Sequence, residues 1–341
     1  MRDSVAMTFG AASFPPRRRR DTHRPSVCAG EILLNSASLP KDTPYLRSVQ
    51  VSGRCVAQWQ TARAGFDTIA PMTPLETFIA GQTNKTIAVA VHDLETGRDI
   101  RVNAHEAFHP ASTFKIHVMM EVFRQAEQGS FSLDDQLTIS NSFTSIADGS
   151  PFSLLEKDDA ETTLYRRIGE KESIGELIRP MIVRSSNLAT NILIAKVGAG
   201  NVNVFIRELG IQGVTVQRGV EDNVAFLRGL NNSATADGLT QTMRLIAAGQ
   251  VVSKRASEKM IEILLGQEFN ESIPALLPAM VKVAHKTGWT GDVYHDTGIV
   301  YSNGRKPYCL SLMTRGFAED KADDAHACMA AISKMIYEEI R

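Results

Sequence analysis

Apolar and polar residues alternate in two separate parts of the chain. Residues 86–92 alternate, and residues 100–102 continue the alternation after a turn, which predicts two paired strands. Towards the C-terminus the two-residue period returns at residues 281–283, 297–301 and 308–313. An Asn-Gly pair lies between the last two segments, and this dipeptide is a strong hairpin signal. The alternation therefore predicts five strands.

Helical periodicity occupies the region between the two groups of strands. One helix is predicted from Ala111 to Gly129, and residues 130–278 are mostly helical in pattern. Residues 73–76 read as a capping box that opens an N-terminal helix, and residues 320–341 predict a C-terminal helix with one apolar face. Because terminal helices must bury their apolar faces, we expect both to cover one face of the sheet. The predicted fold is of the mixed α/β (α+β) class: a five-stranded antiparallel sheet with flanking terminal helices beside an all-helical lobe.

Bulk composition excludes several classes of function. The 341 residues carry a net charge of −1, with 43% hydrophobic and 22% charged residues, which gives no overall sign of nucleic-acid binding. No apolar run approaches the ~18 residues of a membrane span. The cysteines are few and form no C-x-x-C motif, so Cys309 and Cys328 are expected to be buried apolar residues, with a bridge between them left open.

Residues 1–71 differ from the rest of the chain. They are rich in arginine, with the run Arg17-Arg18-Arg19-Arg20, and show no sustained period. We therefore expect a disordered or spuriously translated extension, with Met72 as a candidate natural start. The segment also lacks the apolar core of a secretory signal, which leaves the compartment undetermined.

A serine and a lysine three residues apart, Ser112 and Lys115, would share one face of the predicted helix. A serine hydroxyl is a weak nucleophile until a base takes its proton, and a lysine in a dry pocket can lose its charge and act as that base. Such a pair occurs by chance in many helices. Two later clusters turn it into a pattern: Ser185-Ser186-Asn187 and Lys286-Thr287-Gly288-Trp289.

The order S-x-x-K, S-x-N, K-T-G resembles that of serine β-lactamases and penicillin-binding proteins, and class A β-lactamases most closely. The resemblance runs from about Pro74 to Arg341. It implies a catalytic domain over residues 72–341, with a sheet lobe (72–110 and 279–341) and a helical lobe (111–278) that enclose an active-site groove. We expect a monomer that acts on a small-molecule β-lactam without a cofactor.

The resemblance also implies catalytic roles for the motif residues. Ser112 would be the nucleophile that forms an acyl-enzyme, and Lys115 would accept its proton. Ser185, helped by Lys286, would relay a proton to the leaving nitrogen. Ser186 stands where the family usually has an acid, and we expect this change to alter local packing rather than to abolish catalysis.

Four residues are implied in substrate binding. Asn187 would hydrogen-bond the amide side chain of the substrate, and Thr287 would bind its carboxylate together with Lys286. Gly288 would let the strand approach the ligand closely. The backbone N–H of Trp289, with that of the nucleophile, would form an oxyanion hole.

Deacylation in class A enzymes uses a loop glutamate, and Glu221 occupies about the right place. The residue four positions later is Ala225, where those enzymes have asparagine. Asn223, Asn231 and Asn232 are the candidates for that second role. The alternative interpretation of Glu221 is a solvated loop acid.

The segment His105–His109 matches H-E-x-x-H, a zinc-protease motif. That motif requires a helix, whereas Pro110 disfavours helix at the preceding residue. We expect a loop and no metal site.

The remaining alternatives share the nucleophile Ser112: a DD-peptidase or esterase-like hydrolase, or a penicillin-binding sensor that is acylated and never turns over.

Overall fold

A computed structural model describes residues 72–341 of the protein. The expectations about residues 1–71 lie outside the described residues. The α-helices are α1 (Pro74–Ala80), α2 (Lys115–Glu127), α3 (Ile174–Val183), α4 (Asn187–Val197), α5 (Ala199–Glu208), α6 (Asn223–Leu227), α7 (Ala236–Ala247), α8 (Lys254–Leu264) and α9 (Ala322–Ile340). Short 3₁₀ turns cover Ala111–Phe114, Glu156–Asp158, Thr163–Arg167 and Glu319–Lys321.

Five strands form one antiparallel sheet, as the alternation predicts. They are β1 (Thr86–Asp93), β2 (Asp99–Val102), β9 (Lys282–Thr290), β10 (Val293–Tyr301) and β11 (Tyr308–Arg315). Their spatial order is β2-β1-β11-β10-β9, so β9 lies at an edge of the sheet. This edge strand carries the K-T-G motif, in register with β10 through the pair Thr287 and Asp296.

The terminal helices α1 and α9 pack on one face of this sheet. A capping box begins α1: Thr73 Oγ1 accepts a hydrogen bond from Glu76 N at 3.2 Å, and the Glu76 carboxylate accepts one from Thr73 N at 2.8 Å. Ile87, Val89 and Val91 of β1 share an apolar cluster with α1 and α9. The predicted fold class is therefore confirmed.

The opposite face of the sheet packs against α7. Ala88 and Ala90 of β1 present small side chains there, and Thr240 Oγ1 on α7 donates to Ala90 O at 3.1 Å. Behind this layer lies α2, whose first nine residues are all buried. The region predicted as helical also contains three two-stranded ribbons that the sequence pattern did not indicate: β3 (Gln136–Thr138) with β6 (Lys171–Ser173), β4 (Phe143–Thr144) with β5 (Pro151–Phe152), and β7 (Val214–Thr215) with β8 (Ser233–Ala234).

Two remaining questions from the sequence concern the cysteines and membrane spans. Cys309 and Cys328 are both free and buried, and they belong to different apolar clusters, one on each face of the sheet. Within residues 72–341, no single helix has the length and apolarity to cross a bilayer. Among the helices of the described region, only the pair α4 and α5, which is bent by 77°, has the necessary length and composition together.

Candidate active site

The proposed nucleophile lies on a tight turn that leads directly into α2. Ser112 belongs to the 3₁₀ turn Ala111–Phe114 and is half-buried, whereas Lys115 is completely buried. Thr113 Oγ1 donates to Pro110 O at 2.7 Å, which closes the turn. Ala111 has a left-handed backbone with φ of 46°, a conformation that a residue with a Cβ atom seldom adopts. The turn therefore presents the serine while α2 takes the lysine into the core.

The segment before this turn is a loop, as expected from Pro110. His109 Nδ1 accepts from Ala111 N at 3.2 Å, and Glu106 pairs with Arg315. The two histidines of the H-E-x-x-H string therefore do not share a helical face. Within residues 72–341, no group of three or more His, Cys, Asp or Glu side chains is arranged so that it could hold a metal ion.

Lys115 connects the first motif to the second. Its Nζ lies 2.7 Å from Ser185 O, 2.8 Å from Asn187 Oδ1 and 3.3 Å from Ser185 Oγ. Burial lowers the pKa of Lys115 to about 7, although the negative charges of Asp159 and Glu221 oppose this shift. A neutral amine has two N–H donors, and Ser185 O and Asn187 Oδ1 can each accept one of these hydrogen bonds. Its lone pair is then free to take a proton.

Ser185 lies between the two lysines. Its Oγ is 3.0 Å from Lys286 Nζ as well as 3.3 Å from Lys115 Nζ, and its backbone φ is 58°. Burial lowers the pKa of Lys286 well below its usual range, and the charge of Lys115 lowers it further. The geometry thus brings the first, second and third motifs to one hydroxyl oxygen, which can pass protons between amines.

Asn187 joins Lys115 to Glu221. Its Oδ1 accepts from Lys115 Nζ at 2.8 Å, and its Nδ2 donates to Glu221 Oε1 at 3.0 Å. Burial raises the pKa of Glu221, against the opposing effect of the Asn187 hydrogen bond. A carboxylate whose pKa is raised, linked through Asn187 to Lys115, suits a group that takes up and releases protons.

The loop that carries Glu221 is held by a buried amide that sequence reasoning missed. Asn191 Oδ1 accepts from Val220 N at 2.8 Å, and its Nδ2 donates to Val220 O at 3.0 Å. Glu221 itself has φ of 59°, so the loop holds it in a left-handed conformation. Asn191 lies one helical turn after Asn187, and this spacing is too common in helices to have indicated its role.

The three asparagines proposed as partners of Glu221 lie elsewhere. Asn232 Oδ1 accepts from Gln217 N and Arg218 N at 2.7 and 3.0 Å. Asn231 Oδ1 accepts from the Arg218 guanidinium at 3.0 Å. Asn223 is exposed at the start of α6. In this structure Asn187 is the amide that bonds Glu221 directly.

The edge strand β9 runs close beside the nucleophile turn. A Cβ atom added at Gly288 would lie 2.6 Å from Ser112 N and 3.1 Å from Thr113 N, so only glycine permits this approach. Thr287 Oγ1 is buried and has no hydrogen-bond partner within residues 72–341. Trp289 is 42% exposed and contacts Phe269 edge to face, with ring centroids 5.2 Å apart.

One buried acid in this neighbourhood was not indicated by the sequence. Asp159 follows the 3₁₀ turn Glu156–Asp158 and accepts hydrogen bonds from the backbone N–H groups of Asn187 and Leu188. It has no motif around it that would distinguish it from other loop acids.

The fold and the site together define a serine hydrolase: a serine on a tight turn, two buried lysines, a bridging hydroxyl and a loop glutamate. The chain belongs to the β-lactamase enzyme family, whose family model matches residues 72–340. The family expected from the motifs is therefore confirmed.

Individual relatives have low sequence identity to this chain, but the matched regions cover most of both proteins. A β-lactamase of Bacteroides uniformis is 27% identical over 271 residues, which cover 75% of this chain and 86% of that protein. The extended-spectrum β-lactamase PER-1 of Pseudomonas aeruginosa is 22% identical over 276 residues, which cover 77% of this chain and 85% of that protein. A solved structure of PBP-A shares the fold with a TM-score of 0.67 at 24% identity, covering 78% of this chain and 93% of that one.

Proposed function

We propose that this protein is a serine β-lactamase, which hydrolyses the β-lactam amide through an acyl intermediate on Ser112. One observation carries the proposal: Ser185 Oγ lies within hydrogen-bond distance of Lys115 and of Lys286. This chain of polar atoms leads from the nucleophile turn to the edge strand, where a leaving nitrogen needs a proton. Membership of the β-lactamase enzyme family supports a small-molecule β-lactam as the substrate.

In the proposed acylation, Ser112 Oγ attacks the β-lactam carbonyl carbon and gives its proton to neutral Lys115. The C–N bond then breaks, and Ser185 donates its hydroxyl proton to the ring nitrogen. Lys115 replaces that proton on Ser185 and ends the step neutral. The 3.3 Å separation between Lys115 Nζ and Ser185 Oγ is within reach of such a transfer.

In the proposed deacylation, the Glu221 carboxylate removes a proton from water as the water attacks the ester carbonyl. The bond from the carbonyl carbon to Ser112 Oγ breaks, and the serine recovers a proton that Glu221 releases. Asn187 bonds both Glu221 and Lys115, so it is suited to keep the base aligned with the amine through which the proton returns.

Substrate binding would use polar groups that retain hydrogen-bonding capacity within residues 72–341. The buried Thr287 Oγ1 lacks a partner among residues 72–341 and can donate to a substrate carboxylate. The same carboxylate would place a negative charge beside buried Lys286. Asn187 Oδ1 has a second lone pair beyond the one that Lys115 uses, and it can accept from the substrate's amide side chain.

The oxyanion hole is proposed to consist of the backbone N–H groups of Ser112 and Trp289, and Gly288 sets their separation. We expect Gly288→Ala to lower kcat on the order of 10²-fold, because the new methyl group must push β9 away from Ser112 N. The unfolding free energy should fall by about 1–3 kcal/mol. Steady-state kinetics and thermal unfolding check both effects. Thr290→Ala, in an exposed position of β9, is the control, and equal kcat values for the two variants would contradict the proposal.

The pH dependence of acylation should report Lys115. A base must be neutral to accept a proton, and Lys115 has a pKa of about 7, so kcat/KM should fall as the pH decreases through that value. The raised pKa of Glu221 should instead affect kcat through deacylation, because protonation inactivates it as a base. A pH series of kcat/KM checks this, and a flat profile through neutrality would assign proton acceptance to another group.

A time course with a chromogenic cephalosporin and the full chain tests the proposed function. Steady turnover supports a β-lactamase. A burst of one product per protein molecule without turnover identifies a penicillin-binding protein instead, and it would overturn the role of Glu221. Absence of any reaction, together with hydrolysis of simple esters, would overturn the proposal in favour of an esterase.

A further inference from the structure

Asp159 is a buried carboxylate at the start of α4. It is only 7% exposed. Its Oδ1 lies 3.0 Å from Asn187 N, and its Oδ2 lies 2.9 Å from Asn187 N and 2.9 Å from Leu188 N. The carboxylate therefore binds two of the free N–H groups with which an α-helix begins.

These contacts complete a cap that the second motif provides only in part. Ser186 is the N-cap residue of α4, and its side chain accepts from Ala189 N at 3.2 Å. The N–H groups of Asn187 and Leu188 are left for another acceptor, and Asp159 reaches them from a loop 28 residues earlier in the chain. A negative charge at this position also interacts favourably with the helix dipole.

The loop around Asp159 is itself held by polar contacts. Tyr165 Oη donates to Asp159 Oδ2 at 3.1 Å, and Glu161 N donates to Asp159 Oδ1 at 3.1 Å. The same loop lies near the proposed base, because the charges of Asp158 and Asp159 both raise the pKa of Glu221. Asp159 therefore fixes its loop against Asn187, the middle member of the Lys115–Asn187–Glu221 chain.

The charges that face Lys115 come from three different elements. Asp159 and Glu221 are the negative groups, and both raise the pKa of Lys115 against the effect of burial. Lys286 on β9 is the positive group, and its own pKa is lowered by the charge of Lys115. Asp159 also raises the pKa of Glu221. The carboxylate thus influences both groups proposed to move protons.

We propose that Asp159 is the positioning residue of this active site: it supplies from a distant loop the carboxylate that Ser186 lacks, holds Asn187 between Lys115 and Glu221, and places a fixed negative charge beside both. The inference rests on the proposed function for its effect on turnover. Its effect on Lys115 does not require a substrate.

Asp159→Asn tests the proposal, because it keeps the shape of the side chain and removes its charge. We expect kcat/KM to fall by roughly 10- to 100-fold, since a small displacement of Asn187 misaligns the proton path. The acid limb of the kcat/KM profile should move to lower pH, because Lys115 loses a neighbour that favours its protonated form.

Asp237→Asn is the matched control. Asp237 is also a 7% exposed acid in the first turn of a helix, but it bonds Arg101 and Gln241 and contacts none of the proposed catalytic groups. Equal losses of activity in the two variants, with the acid limb unmoved in both, would overturn the proposal and leave Asp159 a structural cap.

A second readout separates this proposal from the proposed function. The Lys115 titration can be followed by NMR with lysine labelled with ¹³C at Cε, without any substrate. The Lys115 pKa should be lower in Asp159→Asn than in the wild type and unchanged in Asp237→Asn. An unchanged Lys115 pKa in both variants would overturn the proposal even if the wild type hydrolyses β-lactams, and a shifted pKa would support it even if the wild type does not.

Asp159→Glu keeps the test decisive if the asparagine variant does not fold. It retains the charge and changes only the reach of the carboxylate. We expect an acid limb close to that of the wild type with a lower kcat, because Asn187 is displaced while the charge remains. Wild-type kcat in this variant would overturn the positioning role.

Discussion

Ser112→Ala should abolish covalent labelling by penicillin and reduce turnover on the order of 10⁴-fold, the largest effect expected for this protein. The substitution removes the hydroxyl of the proposed nucleophile, and the other hydroxyl of the turn, Thr113 Oγ1, already donates to Pro110 O at 2.7 Å. No acyl-enzyme can then form, although the lysines and the oxyanion hole remain. Intact-protein mass spectrometry after incubation with a penicillin checks the prediction directly.

Ser130→Ala is the control for this experiment, since Ser130 is an exposed serine just beyond the end of α2. It should be labelled as fast as the wild type. A penicillin adduct on the Ser112→Ala protein would mean that another residue is the nucleophile, and peptide mapping of the adduct would identify that residue.

Glu221→Gln should separate acylation from deacylation. Glutamine is nearly isosteric and keeps an oxygen that can accept from Asn187 Nδ2, so the loop should retain its structure. It cannot remove a proton from water, and general-base catalysis contributes about 10²- to 10⁴-fold. We therefore expect a rapid burst equal to one equivalent of protein, followed by turnover reduced by that factor.

Stopped-flow kinetics and mass spectrometry of the trapped acyl-enzyme measure this outcome. Glu156→Gln, at an exposed position of the neighbouring loop, should behave like the wild type. If Glu221→Gln turned over at the wild-type rate, Glu221 would be an ordinary loop acid and the hydrolytic water would need another base.

The sequence predicted the large sheet because successive side chains of a strand point to opposite faces, which gives a two-residue period, and four of its five strands are eight or nine residues long. It did not predict the ribbons β4–β5 and β7–β8, because strands of two residues are too short to show a period. Their pairing depends on tertiary contacts, such as Phe108 N donating to Ala234 O at 2.9 Å beside β8.

The candidate site likewise contains residues that the sequence indicated and residues that it did not. Ser112, Lys115 and Lys286 could be found because each belongs to a short string whose residue types carry chemistry. Asp159 and Asn191 could not, because their importance comes from backbone groups 28 and 29 residues away that only the folded loops bring near. The partner of Glu221 shows the same limit: sequence proximity suggested Asn223, Asn231 and Asn232, and the contact is made by Asn187.

Three of the six residues other than glycine with left-handed backbones in residues 72–341 lie in the candidate active site: Ala111, Ser185 and Glu221. Each such conformation costs on the order of 1–3 kcal/mol, which the rest of the fold must offset. Thermostability and catalytic power are consequently opposed at these positions. A variant relaxed there would gain stability by giving up the geometry that the chemistry requires, so a more robust enzyme must be sought in the core and on the surface instead.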